Sequence, residues 1–257
     1  METRENFGKG GTMIQFSYRL LSSLSTADRQ ACVETANSAF PHCDQTAYLA
    51  ERFPLYDAVL MAHDESGLAA FQLMQRFRTD QGWFVYLGPL YSRRKAYLPM
   101  LFHFFRSAMD TWPDETLHFM AELQNPDLLL VCKTLFPRSY PLLRTREIPL
   151  TVRQTAHVFV ERIAHIEGFR PDNLSSHGSH ILYRAAAGSG AVMTWLHARG
   201  VRLDRGDSQI LLLTCPADAS SRSRLMREME RGRLMLAHWE RFRPVMLRKF
   251  EEGAARD

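Results

Sequence analysis

Ser92-Arg93-Arg94-Lys95 sets three cations side by side between two stretches of different periodicity. Before them, Trp83 to Tyr91 is aromatic and β-branched, a strand pattern with Gly88-Pro89 inside it. After them, Leu98, Leu101, Phe104, Phe105, Ala108 and Met109 recur at helical spacing. Proline cannot donate to a sheet ladder, so Gly-Pro within an apolar strand predicts a bulge or the end of pairing. A strand that splays, a cationic loop and a helix N-terminus together suit an anion or cofactor, because the first amides of a helix point at docked negative charge.

Other groups able to do chemistry are sparser. His177-Gly178-Ser179-His180 is the tightest pair among ten histidines, with no Asp, Glu or Cys at ligand spacing beside it, so no metal is expected. His42-Cys43-Asp44 sets a thiol beside an imidazole, and Gly188-Ser189-Gly190 makes a small-residue turn before a short helix. G-x-S-x-G, the P-loop and the dinucleotide fingerprint are all missing from the sequence. Cys32, Cys43, Cys132 and Cys215 follow no C-x-x-C spacing and read as reduced thiols, mostly in apolar surroundings.

The 257 residues, 46% hydrophobic and 23% charged, fit one large domain or a domain with a sizeable appendage. No apolar run approaches the roughly 18 residues of a membrane span, so no membrane is expected and the cytoplasm is the default. Residues 1–12 are polar and glycine-containing without an apolar signal core, which predicts a disordered lead-in. The net charge of +4 is uneven, with nine Arg or Lys against three Glu between Ala219 and Lys249. That basic segment reads as a solvated helix face. Nucleic acid is disfavoured, since only Trp239 and Phe242 offer aromatic surface there.

The elements that must position these groups follow from pattern. Ser17 to Leu24 reads as a strand, and Ser25 to Asp28 as the N-cap of a helix carrying Cys32, Val33, Ala36 and Phe40. A short helix spans Tyr48 to Phe53. Ala58 to Ala62 and Leu68 to Phe77 form a hairpin turning at His63 to Gly67. The strand and helix around the three cations come next, then a strand from Thr116 to Leu123 and a helix from Leu128 to Phe136 capped by Asn125-Pro126-Asp127. The order is β-α-α-β-β-β-α-β-α. Further on, a helix carries Val152, Ala156, Phe159, Val160 and Ile163, and Gly168 to Ser179 is loop. His180 to Ala185 is a strand, Ala191 to Ala198 a helix and Ile210 to Thr214 a buried strand. Ser221 to Phe250 is helical with a break at Pro244. The best seam is Pro141 to Pro149, dividing residues 13–145 from a C-terminal α/β extension, 146–257.

The element order, the hairpin leading into Val85-Tyr86-Leu87-Gly88-Pro89 and the strand ending Ala121-Glu122-Leu123-Gln124-Asn125-Pro126 resemble the GCN5-related N-acyltransferase superfamily. The resemblance covers about half of the chain. It implies an α/β (α+β) fold with a mixed, mostly antiparallel central sheet flanked by helices. It also implies that acetyl-CoA or another acyl-CoA is a co-substrate, its pantetheine arm in a gap beside the fourth strand of the family fold. Leu87, Gly88, Leu90 and Asn125 would then contact the arm, and Arg93, Arg94 and Lys95 the pyrophosphate. The family's loop, Arg/Gln-x-x-Gly-x-Gly/Ala, falls on residues 92–97, where Lys95 and Tyr97 replace the glycines. Either coenzyme A is held in an altered way, or the fold is kept and the site lost or reused.

The family's general acid, a Tyr seven residues past the Asn, is Cys132 here, and Tyr140 is the stand-in. Glu122 stands where a carboxylate takes a proton from an attacking amine. The expected activity is N-acyl transfer to a small-molecule amine, with the C-terminal half as lid or acceptor pocket and a homodimer as a partner state. The alternative is a fold of this kind that does not acylate and serves as a ligand- or partner-binding protein.

Overall fold

The computed structural model describes residues 2–6, 13–93, 96–178 and 190–255. The chain forms two compact units. The first comprises Met1–Arg78 and Val85–Pro113; the second comprises Thr79–Phe84 and Asp114–Asp257. The seam expected at Pro141 to Pro149 therefore lies inside the second unit.

In the first unit the strands follow the order β1-β2-β3-β4-β5, with β1 Glu2–Asn6, β2 Met13–Leu20, β3 Ala58–Asp64, β4 Gly67–Thr79 and β5 Gly82–Ser92. Pairing is antiparallel from β1 to β4. The disordered lead-in expected over residues 1–12 is corrected for residues 2–6, which pair with β2 from Glu2↔Ser17 to Asn6↔Met13. Glu-Thr-Arg-Glu-Asn carries no apolar pattern because an added edge strand is held by main-chain hydrogen bonds, which any sequence supplies. The first apolar strand starts four residues earlier than expected, at Met13, and ends at Leu20 in a 3₁₀ turn, Leu21–Ser23.

Helix α1 (Thr26–Ala39) opens on a capping box: the Ser25 amide donates to Asp28 Oδ2 at 2.9 Å and the Asp28 amide to Ser25 Oγ at 3.1 Å. Helix α2 (Thr46–Arg52) follows. The β3–β4 hairpin closes as expected: Asp64 Oδ1 accepts from the Ser66 amide at 2.8 Å, and Gly67 takes φ +106°, which a side chain would resist. Helix α3 (Tyr97–Thr111) buries Met100, Leu101, Phe104, Phe105, Ala108 and Met109, and Phe16 of β2 stacks on its His103 at 4.7 Å.

In the second unit the strand order is β6-β8-β7, with β6 Leu117–Leu123, β7 Ser175–His177 and β8 Asp207–Cys215. The β6·β8 and β7·β8 pairs are antiparallel. Helices α4 (Pro126–Leu135), α6 (Gly190–Ala198) and α8 (Trp239–Ala254) pack with one face of β6 and β8 in a cluster containing Leu123, Leu130, Trp195, Leu211, Met246 and Phe250. Helix α5 (Leu150–Arg162) places Phe159 against Phe84 at 5.0 Å. Helix α7 (Ala219–Ala237) packs on α4 so closely that a Cβ at Gly232 would lie 2.6 Å from the Thr134 carbonyl oxygen.

Two further expectations change here. The loop foreseen over Gly168 to Ser179 contains β7, a three-residue polar strand paired with β8. The C-terminal helical stretch breaks at His238 (φ −115°, ψ 45°), while Pro244 sits inside α8. A proline in the second turn forgoes one hydrogen bond, to the Glu240 carbonyl, and the helix survives it. The strand foreseen over His180 to Ala185 and the turn at Gly188-Ser189 lie outside the described residues.

Candidate functional site

The strand, loop and helix around the three cations lie in the first unit from Val85 onward. Strand β5 continues through Gly88-Pro89 to Ser92. Gly88 is glycine for lack of room: a Cβ there would stand 2.3 Å from Cε1 of Tyr56 and 2.7 Å from its hydroxyl. The Gly88 carbonyl accepts from Gln72 Nε2 at 3.3 Å. Leu87 is buried, whereas Gly88 and Leu90 are partly exposed. Tyr91 is anchored under the loop, its hydroxyl donating to Gln45 Oε1 at 2.7 Å and its ring stacked on Phe71 at 5.1 Å. Burial pushes that phenol far above its ordinary pKa, which makes it a structural hydroxyl.

The loop spends its described amides internally. The Arg93 amide donates to the Ala69 carbonyl at 2.7 Å, and the Ala96 amide to the Arg93 carbonyl at 3.2 Å. The Tyr97 amide, first of α3, donates to Ser92 Oγ at 3.1 Å. The Arg93 guanidinium turns back to donate to the Leu68 carbonyl, which also accepts from Thr35 Oγ1 at 3.0 Å. An anion at this loop would therefore find no open row of amides at residues 93, 96 and 97. Arg94 and Lys95 lie outside the described residues. A polar cleft of about 420 Å³ borders the loop, lined by Ser38, Ala39, Asp64, Ser66, Ser92 and Arg93.

Glu122, Asn125 and Tyr140 lie in the second unit. Asn125 is the N-cap of α4, its side-chain oxygen accepting from the amides of Asp127 at 2.9 Å and Leu128 at 3.3 Å. Glu122, near the end of β6 opposite Ile210, accepts a hydrogen bond from Ser176 Oγ of β7. Tyr140 pairs by its backbone with Leu212, its amide donating at 2.7 Å and its carbonyl accepting at 2.9 Å. Glu122 and Tyr140 thus flank β8 from opposite sides, two residues out of register. With strands about 4.8 Å apart and a rise of about 3.4 Å per residue, their Cα atoms are roughly 12 Å apart. Tyr140 lines a cleft with His118 and Thr214, toward the opposite end of β6 and β8 from Glu122.

Three arrangements escaped the sequence reading. Lys133 is fully buried, and its Nζ donates to the Ser139 carbonyl at 2.5 Å, Ser139 Oγ at 3.2 Å and the Pro141 carbonyl at 2.6 Å. Burial, reinforced by the charge of Arg199, pushes its pKa down to about 7. Arg199 donates to the carbonyls of Leu142 and Thr145, and Trp195 Nε1 to that of Leu143 at 3.1 Å, so side chains of α4 and α6 pin the whole segment that carries Tyr140. Third, the Asp207 carboxylate holds Arg170 at 2.8 Å and His177 Nδ1 at 3.0 Å. Burial works to raise the Asp207 pKa, but hydrogen bonds from Arg170, the Arg202 amide and His177 outweigh it and hold the pKa low. The only signal for Lys133 was a lone cation in the apolar run Leu128 to Leu135. The Asp207 cluster joins residues far apart in sequence and left none.

Among the described residues, no group of three His, Cys, Asp or Glu is arranged to hold a metal ion, and no helix is long and apolar enough to cross a membrane. No protein-family model matches the chain, and no curated protein does. Solved structures similar to it include an acyl-CoA N-acyltransferase from Pseudomonas aeruginosa, at 16% identity over 42% of this chain and 77% of that one, with a TM-score of 0.33. Escherichia coli ElaA is similar at 16% identity over 46% and 84%, with a TM-score of 0.32. The ribosomal-protein-S18-alanine N-acetyltransferase from Escherichia coli is similar at 12% identity over 78% and 94%, with a TM-score of 0.35. At these identities and scores the likeness carries no activity to this chain.

Proposed function

We propose that the chain is a divergent acyl-CoA-dependent N-acyltransferase of the GCN5-related type, acting on a small-molecule amine. The observation that supports this reading best is topological. From Met13 to Leu135 the elements run β-α-α-β-β-β-α-β-α, and β2 to β5 lie in sequential sheet order before a loop into α3. That arrangement matches what the resemblance in sequence implies for the acyl-CoA-binding half. In this reading the backbone of Leu87, Gly88 and Leu90 meets the pantetheine arm, Asn125 adds a contact, and Glu122 takes the proton from the attacking amine. Aminolysis forms the amide C–N bond as the thioester C–S bond breaks and coenzyme A leaves as the thiol, which needs little more than the two reactants held together and a base. With the amides of residues 93, 96 and 97 engaged and Arg93 turned to Leu68, the diphosphate falls to the side-chain charges of Arg94 and Lys95. Tyr140, across β8 from Glu122, receives no acid role.

The test is release of free thiol from acetyl-CoA and longer acyl-CoA in the presence of a panel of small primary amines. Glu122→Gln is expected to cut turnover about 100-fold, the usual worth of a general base, while leaving acyl-CoA affinity unchanged. Undiminished turnover would remove Glu122 from the reaction. A second reading, a non-acylating ligand-binding protein of the same fold, is favoured by the internally bonded loop amides. Absence of thiol release with every acyl length and amine would decide for it.

A further inference from the structure

The cleft containing Tyr140 measures about 470 Å³ and lies wholly within the second unit, between the end of β8 and the starts of α5 and α7. Its apolar lining includes Leu212, Val152 and Leu225. Its hydroxyl-bearing lining residues are Tyr140, Thr151, Thr155, Thr214 and Ser221. Among the described residues, three charged side chains line it. Arg138 and Glu228 neutralise one another in an ion pair of 2.7 Å. Arg224, exposed, is left as an uncompensated cation among the described residues. His118 adds no charge: burial pushes its pKa down, and its two ring nitrogens are engaged by Thr214 Oγ1 at 3.0 Å and the Gln81 carbonyl at 3.3 Å. Asp218, the N-cap of α7, spends its carboxylate on the Ser221 amide at 2.8 Å and Ser220 Oγ at 2.6 Å.

We propose that this cleft binds a small organic carboxylate, its apolar body against Leu212, Val152 and Leu225 and its charge against Arg224. The volume is in the range of small-molecule sites, roughly 300–1,000 Å³. A single excess positive charge over an apolar floor selects one negative charge on an apolar body, in preference to a bare multivalent anion. A wall of side-chain hydrogen bonds keeps the cleft open: Lys133, Trp195 and Arg199 fix the segment from Ser139 to Thr145 that carries Tyr140. The site is independent of acyl transfer, so its failure would leave the proposed activity standing, and the reverse.

The test is calorimetric titration of the full chain with 4-bromobenzoate, its neutral analogue 4-bromobenzamide, and inorganic phosphate. The benzoate is expected to bind at least about 10-fold more tightly than either of the others. Arg224→Gln is expected to weaken the benzoate by about 10- to 100-fold, as for a hydrogen bond to a charged group, with the benzamide and the melting temperature unchanged. Glu228→Gln, which releases Arg138 from its ion pair and adds a second uncompensated cation, is expected to tighten benzoate binding. In a crystal soaked with 4-bromobenzoate, the anomalous bromine peak is expected over Leu212. Equal binding of acid and amide, phosphate matching the benzoate, no loss in Arg224→Gln or a bromine peak elsewhere would each overturn the proposal.

Discussion

At the scale of single residues, two side chains decide local structure in ways their own sequence neighbours do not announce. Gly88 looks like a strand breaker, yet it is a spacer for the Tyr56 ring, 2.3 Å from where its Cβ would stand. Gly88→Ala is therefore expected to destabilise by about 1–3 kcal/mol, the usual cost of overpacking. In the Tyr56→Ala background the same change is expected to cost well under half of that. Urea unfolding of the four-member cycle reads the coupling; simple additivity would show that the ring is not what excludes a side chain. Lys133 is the second case. Three acceptors surround its Nζ, and burial holds its pKa near 7 against the usual 10.5 of a free lysine. Between those values the unfolded chain binds the proton and the folded one does not, so this group makes stability rise with pH from about 7 to about 10.5. Subtracting the profile of Lys133→Met from that of the native chain over pH 7 to 9 isolates the effect, and a flat difference would mean the lysine keeps its proton throughout. At pH 7 Lys133→Met is also expected to cost about 2–4 kcal/mol, because two buried carbonyls and a hydroxyl lose their donor.

At the scale of elements, legibility followed side-chain burial. The α1 cap, the β3–β4 hairpin, the α4 cap at Asn125 and the helical face of α3 all bury or bond side chains, and each could be read from residue type and spacing. Strands β1 and β7 could not. Glu2–Asn6 and Ser175–His177 are polar segments paired in the sheet by main-chain bonds, and the side-chain partners of β7, Glu122 and Asp207, lie 54 and 30 positions away, so neither strand carries an apolar pattern to read. Pro244 misled for a related reason, since a proline near a helix start costs one hydrogen bond and the adjoining packing of Met246 and Phe250 outweighs it. Asn125 allows a prediction at this scale. As a cap that satisfies two amides of α4, it is expected to contribute about 1 kcal/mol, lost in Asn125→Ala and largely kept in Asn125→Asp. Were Asn125 also to bind the acyl donor, Asn125→Asp would keep the stability and lose affinity for acyl-CoA. A variant that keeps both would limit Asn125 to its cap.

At the scale of the whole molecule, the chain is two compact units whose division the sequence concealed. The Pro141 to Pro149 stretch looked like a seam because two prolines break the pattern there, but Lys133, Trp195 and Arg199 hold carbonyls between Pro141 and Thr145 and tie it to the second unit. The candidate site was partly legible. The cationic loop, Gly88, Glu122 and Asn125 were found from sequence, while the bonding of Arg93 was not, because its amide and guanidinium find their acceptors at Ala69 and Leu68, 24 and 25 positions away. Calorimetric titration of the chain with acetyl-CoA tests the central claim most directly. The account predicts saturable one-to-one binding that survives Arg93→Ala within about twofold and is weakened at least about 10-fold when Arg94 and Lys95 are both changed to Ala. No binding heat with acetyl-CoA or any longer acyl-CoA at millimolar concentration would contradict it.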